Sequence, residues 1–370
     1  MHIVLFFTFD YSLKTWLNSG HITRELKLYD YLTTRGVEIS FVTYGDSSDL
    51  EILKNSKIKI FPIYTISKKS KYKILNFVKS FLIPFKLKNH IDTSSKKLII
   101  KQNQLLGSWV AIIFKIISGA KLYTRTGYDM YLFSVKEGKN LLKKIVYFLL
   151  TQITISFSDS YIVTSNSDAK FLKNRFLTSK KILVRPNWVD VPIEAEHERY
   201  SDRLLSVGRL EKQKNFEELI LSAKKTGFKI DIYGEGRLKT DLEKLSKSLD
   251  IELNIFNNIE NEELLNVYQK YKYFISTSNF EGNSKVILEA MANGCLVIAK
   301  DIENNREVLG DESGLLYNDN LNEVLIRCMN DEYDKLNILN NSRNTIIKYY
   351  SKDKIFSDYL SDFEDLYEIK

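Results

Sequence analysis

Hydrophobic positions along the chain gather in short runs of four to six, and between the runs lie longer stretches in which apolar residues recur every three to four positions. The runs "HIVLFF", "VEISFVTY", "IKIFPI", "KLII", "AKLYT" and "SYIVTS" read as strands, and the spacer near 20–35 reads as an amphipathic helix. This alternation predicts βαβ units and a parallel sheet. The pattern then starts afresh with "RLLSVGR", "FKIDIYG", "IELNIF", "YFISTS" and "CLVIAK", with helices expected from about 215, from about 237, near 260–270 and after Ser284. The predicted fold class is α/β: two Rossmann-like, doubly wound parallel-sheet domains facing a central cleft at the carboxyl ends of their strands, where ligands of such sheets bind. Residues 1–188 form the first domain and 189–351 the second. Between them "VRPNWVDVPIEAEHERYSD", 184–202, holds two of the four prolines and little apolar periodicity, and reads as a linker. The segment 352–370 has helical period and is expected to pack back on the first domain.

A length of 370 residues exceeds what one core usually supports, which agrees with two domains. Hydrophobic residues at 44% and charged residues at 27% exclude a disordered chain. Cys295 and Cys328 have no CxxC or Cys/His spacing, which argues against a disulfide scaffold or a zinc site and favours a reducing cytoplasm. The start "MHIVLFFTFD" has no basic region or cleavage site of a signal peptide and is expected as a strand. The nearest approach to a membrane span, "IVYFLLTQITISF" at 145–157, is short and broken by polar residues, so no span is expected. Charge is unevenly placed: residues 1–190 carry +17 and the remainder −10, within a total of +7. One half is therefore expected to face polyanions.

Candidate chemistry concentrates in the second half. In "STSNFEGNSKVILEAMANG" a strand ends at a glycine-containing turn, Asn283 or Ser284 is placed to cap a helix, and Gly294 is placed to stop it. The free N–H groups of such a helix start suit a phosphate. Glu281 and Glu289 stand eight residues apart, about 12 Å along a helix, too far to share one proton. They are placed instead to grip two ends of a long ligand with a phosphate in its middle, the shape of a nucleotide sugar. In "SVGRLEKQKN", Arg209 and Lys214 flank a turn at the carboxyl edge of the sheet, where a guanidinium fork and an ammonium would neutralise a leaving diphosphate. In "DIYGEGRLKTDL", Gly234 and Gly236 make a tight turn into a helix without the third glycine of the dinucleotide fingerprint.

Taken in order, "VGRLEKQKN", "IYGEGRLKTDL", "STSNFEGNSKVILEAMANGCLVI" and "REVLGDESGLLY" resemble the nucleotide-binding half of retaining GT-B glycosyltransferases of family 4, over about half the chain. The resemblance implies that Arg209 and Lys214 bind the donor diphosphate, that Glu281 contacts the transferred sugar and Glu289 the ribose. It also implies that Gly282, Asn283, Ser284 and Lys285 line the sugar and phosphate pocket, with Gly234, Gly236 and Gly20 near the donor. It implies a hexose-type transfer without a metal, in keeping with the lack of any D-x-D pair, and no cofactor beyond the nucleoside diphosphate sugar, expected as a UDP-sugar. The first half departs from the family pattern. Its glycine loop offers Gly20 only, and "LYTRTGYD" has no histidine where the family usually carries one, leaving Arg125, Asp129 and His21 as candidate contacts to donor or acceptor. Those departures keep a second reading open, a non-catalytic nucleotide-sugar or polyanion binding protein on a degenerate GT-B scaffold.

The segment "SKKSKYKILNFVKSFLIPFKLK", 67–88, interleaves seven lysines with aromatic and aliphatic residues. It reads either as an amphipathic helix lying on an anionic membrane or as an ordinary surface helix with solvated lysines. A recognisable nucleic-acid module is missing, so no nucleic acid is expected as a partner. The expected partners are a nucleotide-sugar donor, a glycan or lipid-linked saccharide acceptor, and the inner face of a membrane, contacted peripherally from the cytoplasm.

Overall fold

The computed structural model describes residues 1–127, 129–178, 182–192 and 198–368. Two compact units make up the chain, one of Met1–Arg185 with Phe356–Lys370 and one of Pro186–Ile355.

In the first unit the strands are β1 (His2–Phe6), β2 (Glu38–Thr43), β3 (Lys59–Pro62), β4 (Leu98–Asn103), β5 (Lys121–Thr126), β6 (Ser160–Val163) and β7 (Ile182–Val184). They pair in parallel in the order β3-β2-β1-β4-β5-β6-β7. All five residues of β1 are buried, as a strand covered on both faces requires. The helix Lys352–Glu368 buries Phe356, Tyr359, Phe363 and Leu366. Its Asp362 accepts hydrogen bonds from Tyr123 Oη at 2.8 Å and from the Arg185 guanidinium at 2.5 and 2.9 Å, and Tyr367 donates to the Leu98 carbonyl at 2.5 Å. The last helix is thereby tied to β5 and β4.

The second unit holds β8 (Tyr200–Val207), β9 (Lys229–Tyr233), β10 (Leu253–Phe256), β11 (Tyr271–Ser276), β12 (Leu296–Lys300) and β13 (Leu315–Tyr317). They are parallel in the order β10-β9-β8-β11-β12-β13. In each sheet the strand order reverses once, between β1 and β4 and between β8 and β11. These are the topological switch points, where crossover loops diverge and leave a crevice.

Three expectations need correction. The 184–202 stretch is not uniformly a linker. It begins in β7, and Val189 is buried in the core of the second unit, with its N–H on the Tyr350 carbonyl at 3.0 Å and its own carbonyl accepting from Lys352 N–H at 2.9 Å; residues 193–197 lie outside the described residues. The 67–88 segment is not one helix but two, Lys73–Ser80 and Ile83–Leu87, broken at Phe81–Leu82 just before Pro84, whose ring suits the start of a helix and not its interior. Neither Asn283 nor Ser284 caps the helix Lys285–Ala292 with its side chain. Ser284 occupies the cap position without a capping hydrogen bond, and the Asn283 amide oxygen is taken by Asn187 N–H at 2.8 Å. That helix does stop as expected, with Gly294 at φ +75°. Among the described residues no helix is long and apolar enough to cross a membrane.

Candidate functional site

At the switch point of the second unit, the loops leaving β8 and β11 carry the two motifs of the sequence. The loops are bonded to each other: Thr277 Oγ1 donates to the Lys214 carbonyl at 2.8 Å, Asn279 N–H to the Gln213 carbonyl at 2.9 Å, and Gln213 Nε2 to the Phe280 carbonyl at 2.9 Å. This framework brings Lys214 Nζ to 2.5 Å from Glu281 Oε1, in an ion pair whose side chains are 14% and 11% exposed. Gly208 makes room for it, since a Cβ there would stand 2.9 Å from Lys214 Cε. Gly234 and Gly236 serve the same packing from the β9 side. A Cβ on Gly234 would lie 1.9 Å from the Gly208 carbonyl oxygen, and one on Gly236 2.5 Å from that of Leu210.

Arg209 does not share the setting of Lys214. Its side chain is exposed and donates to Gln213 Oε1 at 3.4 Å. Along the β11 loop, Asn283 and Ser284 are buried and Gly282 and Lys285 half-buried. Asn187 grips this turn twice, by its N–H on Asn283 Oδ1 and by its Nδ2 on the Asn283 carbonyl at 2.6 Å. Glu289 is buried in the helix, with its carboxylate accepting from Asn261 Nδ2 at 3.1 Å and Tyr268 Oη at 3.3 Å. A row of acceptors and donors therefore runs from the Lys214–Glu281 pair through the open helix start to Glu289, in a unit where the helix dipole favours negative charge at that start. Asn187, Asn261 and Tyr268 belong to this arrangement and no motif announced them.

In the first unit the switch point holds a cavity of about 350 Å³. Thr8 follows β1, Asn103 and Gln104 close β4, and Tyr11, Trp16 and Glu25 come from the segments after β1. Aromatic faces beside amide and carboxylate groups suit a sugar, whose C–H faces stack and whose hydroxyls need hydrogen bonds. Of the residues singled out from sequence, His21 is exposed at the start of the helix Ile22–Thr33, while Glu25, one turn later, lines the cavity. Gly20, at φ +68°, closes the helix Leu13–Asn18 with its N–H on the Leu17 carbonyl at 3.1 Å. The signal that could have found this cavity is the polar run Lys101-Gln102-Asn103-Gln104, which ends an otherwise apolar strand.

Behind the cavity wall lies a buried cationic pair. Burial and the neighbouring Arg125 guanidinium push Lys101 down to about 7, against the pull of Glu25; its Nζ donates to Tyr29 Oη at 3.1 Å and Asn103 Oδ1 at 2.5 Å. Burial works against the charge of Arg125, yet Tyr359 and Glu25 hold its pKa above the ordinary value. Asp129 caps the helix Met130–Lys136 through Leu132 N–H at 2.7 Å, and burial raises its carboxyl to about 6. Among the described residues, no three His, Cys, Asp or Glu side chains group as metal ligands would.

Comparison with known proteins gives this geometry a context. Residues 194–352 match the family Glycosyl transferases group 1. Over 240 residues the chain is 31% identical to the N-acetylgalactosamine-N,N'-diacetylbacillosaminyl-diphospho-undecaprenol 4-alpha-N-acetylgalactosaminyltransferase of Campylobacter jejuni, covering 61% of this chain and 66% of that one. Over 215 residues it is 27% identical to a second C. jejuni enzyme, the GalNAc-alpha-(1->4)-GalNAc-alpha-(1->3)-diNAcBac-PP-undecaprenol alpha-1,4-N-acetyl-D-galactosaminyltransferase, covering 55% and 59%. The matched regions thus span about 66% and 59% of these relatives' own lengths. In fold, the chain superposes on sucrose-phosphate synthase from Thermosynechococcus elongatus with a TM-score of 0.78 at 15% identity, over 100% of both chains.

Proposed function

We propose that this chain, whose residues 194–352 match the group 1 glycosyltransferases and which has the GT-B fold, moves a hexose-type sugar, with retention at the anomeric carbon, from a nucleoside diphosphate donor to a saccharide acceptor. The observation that carries the reading is the Lys214–Glu281 pair, held at the switch point beside a helix start with no side-chain cap, with Glu289 farther along the same helix. In this reading Lys214 turns from Glu281 toward the donor diphosphate as charge grows on the leaving group, joined by exposed Arg209, and the helix start binds the remaining phosphate oxygens. Glu281 then faces the transferred sugar, and Glu289 takes the ribose hydroxyls. The leaving phosphate accepts the acceptor's proton on the same face, which gives retention without a metal. Gly282, Asn283, Ser284 and Lys285 shape the pocket between the two glutamates.

For the acceptor, the aromatic and amide cavity of the first unit supplies the sugar platform, with Glu25 and Asn103 as hydroxyl partners. The two C. jejuni relatives are named for saccharides carried on diphospho-undecaprenol. We extend that acceptor class, a lipid-linked saccharide of bacterial surface glycan synthesis, to this chain, working at the cytoplasmic face of the membrane with segment 67–88 against the lipid.

The test is a panel of UDP-, GDP- and ADP-sugars in thermal denaturation, repeated with excess chelator and followed by turnover on a lipid-linked saccharide. A UDP-sugar is expected to raise the melting temperature with or without chelator, since a ligand at 100 times its Kd stabilises by about 2.7 kcal/mol. Release of UDP only when acceptor is present completes the assignment. Donor binding without release under any acceptor would instead describe a binding protein.

A further inference from the structure

Between Ile52 and Ser158 the sequence contains three carboxylates, Asp92, Asp129 and Glu137, against a run of lysines. Within that stretch the helix Leu141–Phe157 has an unusual outer face. Leu142, Val146, Leu149, Ile153 and Phe157 recur every three to four residues and all are exposed, with Leu141 and Leu142 at 73% and 71%. Its opposite face is spent normally: Thr151, Thr154 and Ile155 are buried, and Phe148 packs on Tyr131 and Phe176. A surface helix of this kind ordinarily turns polar residues outward, so the exposed stripe lacks a partner among the described residues of the first unit.

The two helices of segment 67–88 repeat the pattern. Tyr72, Ile74, Val78, Leu82 and Phe85 point outward, Ile74 at 78%, while Ile83 and Leu87 enter the core. The helix Ser108–Ser118 joins the two regions. Its Trp109 Nε1 donates to Ser80 Oγ at 2.8 Å on one side, and its Ser108 Oγ meets Thr154 Oγ1 at 2.8 Å on the other. Its own outward Ile116 is 62% exposed. The helix Ser108–Ser118, which packs on β4 and β5, thus touches both regions, whose apolar outer residues together make up the candidate surface.

We propose that this surface, with the helix Leu141–Phe157 as its larger half, is a docking face for an anionic lipid bilayer. This rests on, and extends, the reading of a lipid-linked acceptor. Charge decides the occupant. Lys71, Lys73, Lys86, Lys88 and Lys143 are exposed within the two segments, and neither 52–91 nor 138–158 contains an acidic residue. Two such lysine-rich faces would repel each other, which disfavours a second copy of the chain, whereas anionic headgroups attract the lysines by roughly fivefold in affinity for each. At 17 residues the helix spans about 25 Å, short of a bilayer core, and so lies on the surface with its stripe inserted below the headgroups.

Flotation of the full chain with phosphatidylglycerol-containing vesicles, and with pure phosphatidylcholine vesicles, tests this without donor or acceptor. Parent protein is expected to float with the anionic vesicles and to be released by salt. The triple variant Leu142→Ser, Val146→Ser, Ile153→Ser is expected to lose about tenfold or more in partitioning, as is Ile74→Ser, Val78→Ser, Leu82→Ser, and both should keep the parent's melting temperature. Unchanged flotation of the first variant would overturn the two-part face, and failure of the parent to float would overturn the proposal altogether. So would a parent dimer, seen by light scattering, that the first variant abolishes. Both variants should retain the parent's thermal response to donor. A parent with no donor response that still floats would count against the glycosyltransferase assignment and leave the lipid face standing.

Discussion

Lys214 and Glu281 shield each other from water, so removing one leaves the other's charge in a mostly dry place. Lys214→Met is expected to cost about 1–3 kcal/mol of stability besides donor affinity, and part of that loss should return in the Lys214→Met, Glu281→Gln double variant. Glu281→Gln alone keeps an acceptor for Lys214 and the side-chain volume. It is expected to lose less stability than Lys214→Met, because the amide oxygen still accepts from the ammonium, while kcat falls about 100-fold, the scale of losing one charge-stabilising contact in the transition state. Parent kinetics in that variant would remove Glu281 from the chemistry. Glu289→Ala should raise donor KM about tenfold with little change in kcat, since a ribose contact is the same in ground and transition states. Lys101 supplies a pH effect of another kind. Its pKa in the fold is about 7 against an ordinary 10.5, so between those values the unfolded chain binds the extra proton and stability rises with pH, by about 1.4 kcal/mol per unit where the difference is a full proton. The first unit is expected to melt higher at pH 9 than at pH 7, and Lys101→Met should flatten that slope. An unchanged slope would locate the titration elsewhere. Lys214, Glu281 and Glu289 could be picked out as candidates because each sits in a local motif with a recognisable spacing. Asn187, Asn261, Tyr268 and Glu25 are ordinary residue types in distant segments, and only the fold brings them to their partners. Arg209 shows the opposite limit: the motif pairs it with Lys214, yet its side chain points to solvent.

At the level of elements, the strands were readable because parallel strands buried on both faces are written as uninterrupted apolar runs. β7 and β13, three residues each, are too short to stand out from the flanking loops. The break inside segment 67–88 was hidden by a lysine and aromatic spacing that continues across it, although Pro84 marks where a new helix begins. The last helix was legible by period, and its hold on the first unit rests on side chains that period does not reveal. Asp362 accepts from both Arg185 and Tyr123, with only 4% of its side chain exposed. Asp362→Ala would leave the Arg185 guanidinium and the Tyr123 hydroxyl without that partner, and a loss of about 3 kcal/mol is expected by chemical denaturation. A loss under 1 kcal/mol would mean that the apolar packing of Phe356, Tyr359 and Phe363, with Tyr367 on the Leu98 carbonyl, holds the helix without Asp362.

For the molecule as a whole, the two units differ in what they present. The first carries the positive charge, the aromatic cavity and the exposed apolar helices, while the second carries the motif that resembles a nucleotide-sugar site. Each has its own buried core, and chains built this way commonly unfold in more than one step, so that a single melting temperature conflates two equilibria. A ligand stabilises only the species that binds it. Calorimetry of the full chain should therefore resolve two transitions, and a saturating UDP-sugar should move the one belonging to Pro186–Ile355, by about 2.7 kcal/mol at 100 times Kd. Hydrogen exchange would assign that transition, with added protection in the loops after β8 and β11 and in the helix Lys285–Ala292. The pH-sensitive transition that Lys101→Met flattens should be the other one. If donor instead moved the Lys101-dependent transition and left the second in place, the donor would have to bind at the cavity of the first unit, and the roles of Lys214, Glu281 and Glu289 would have to be given up together.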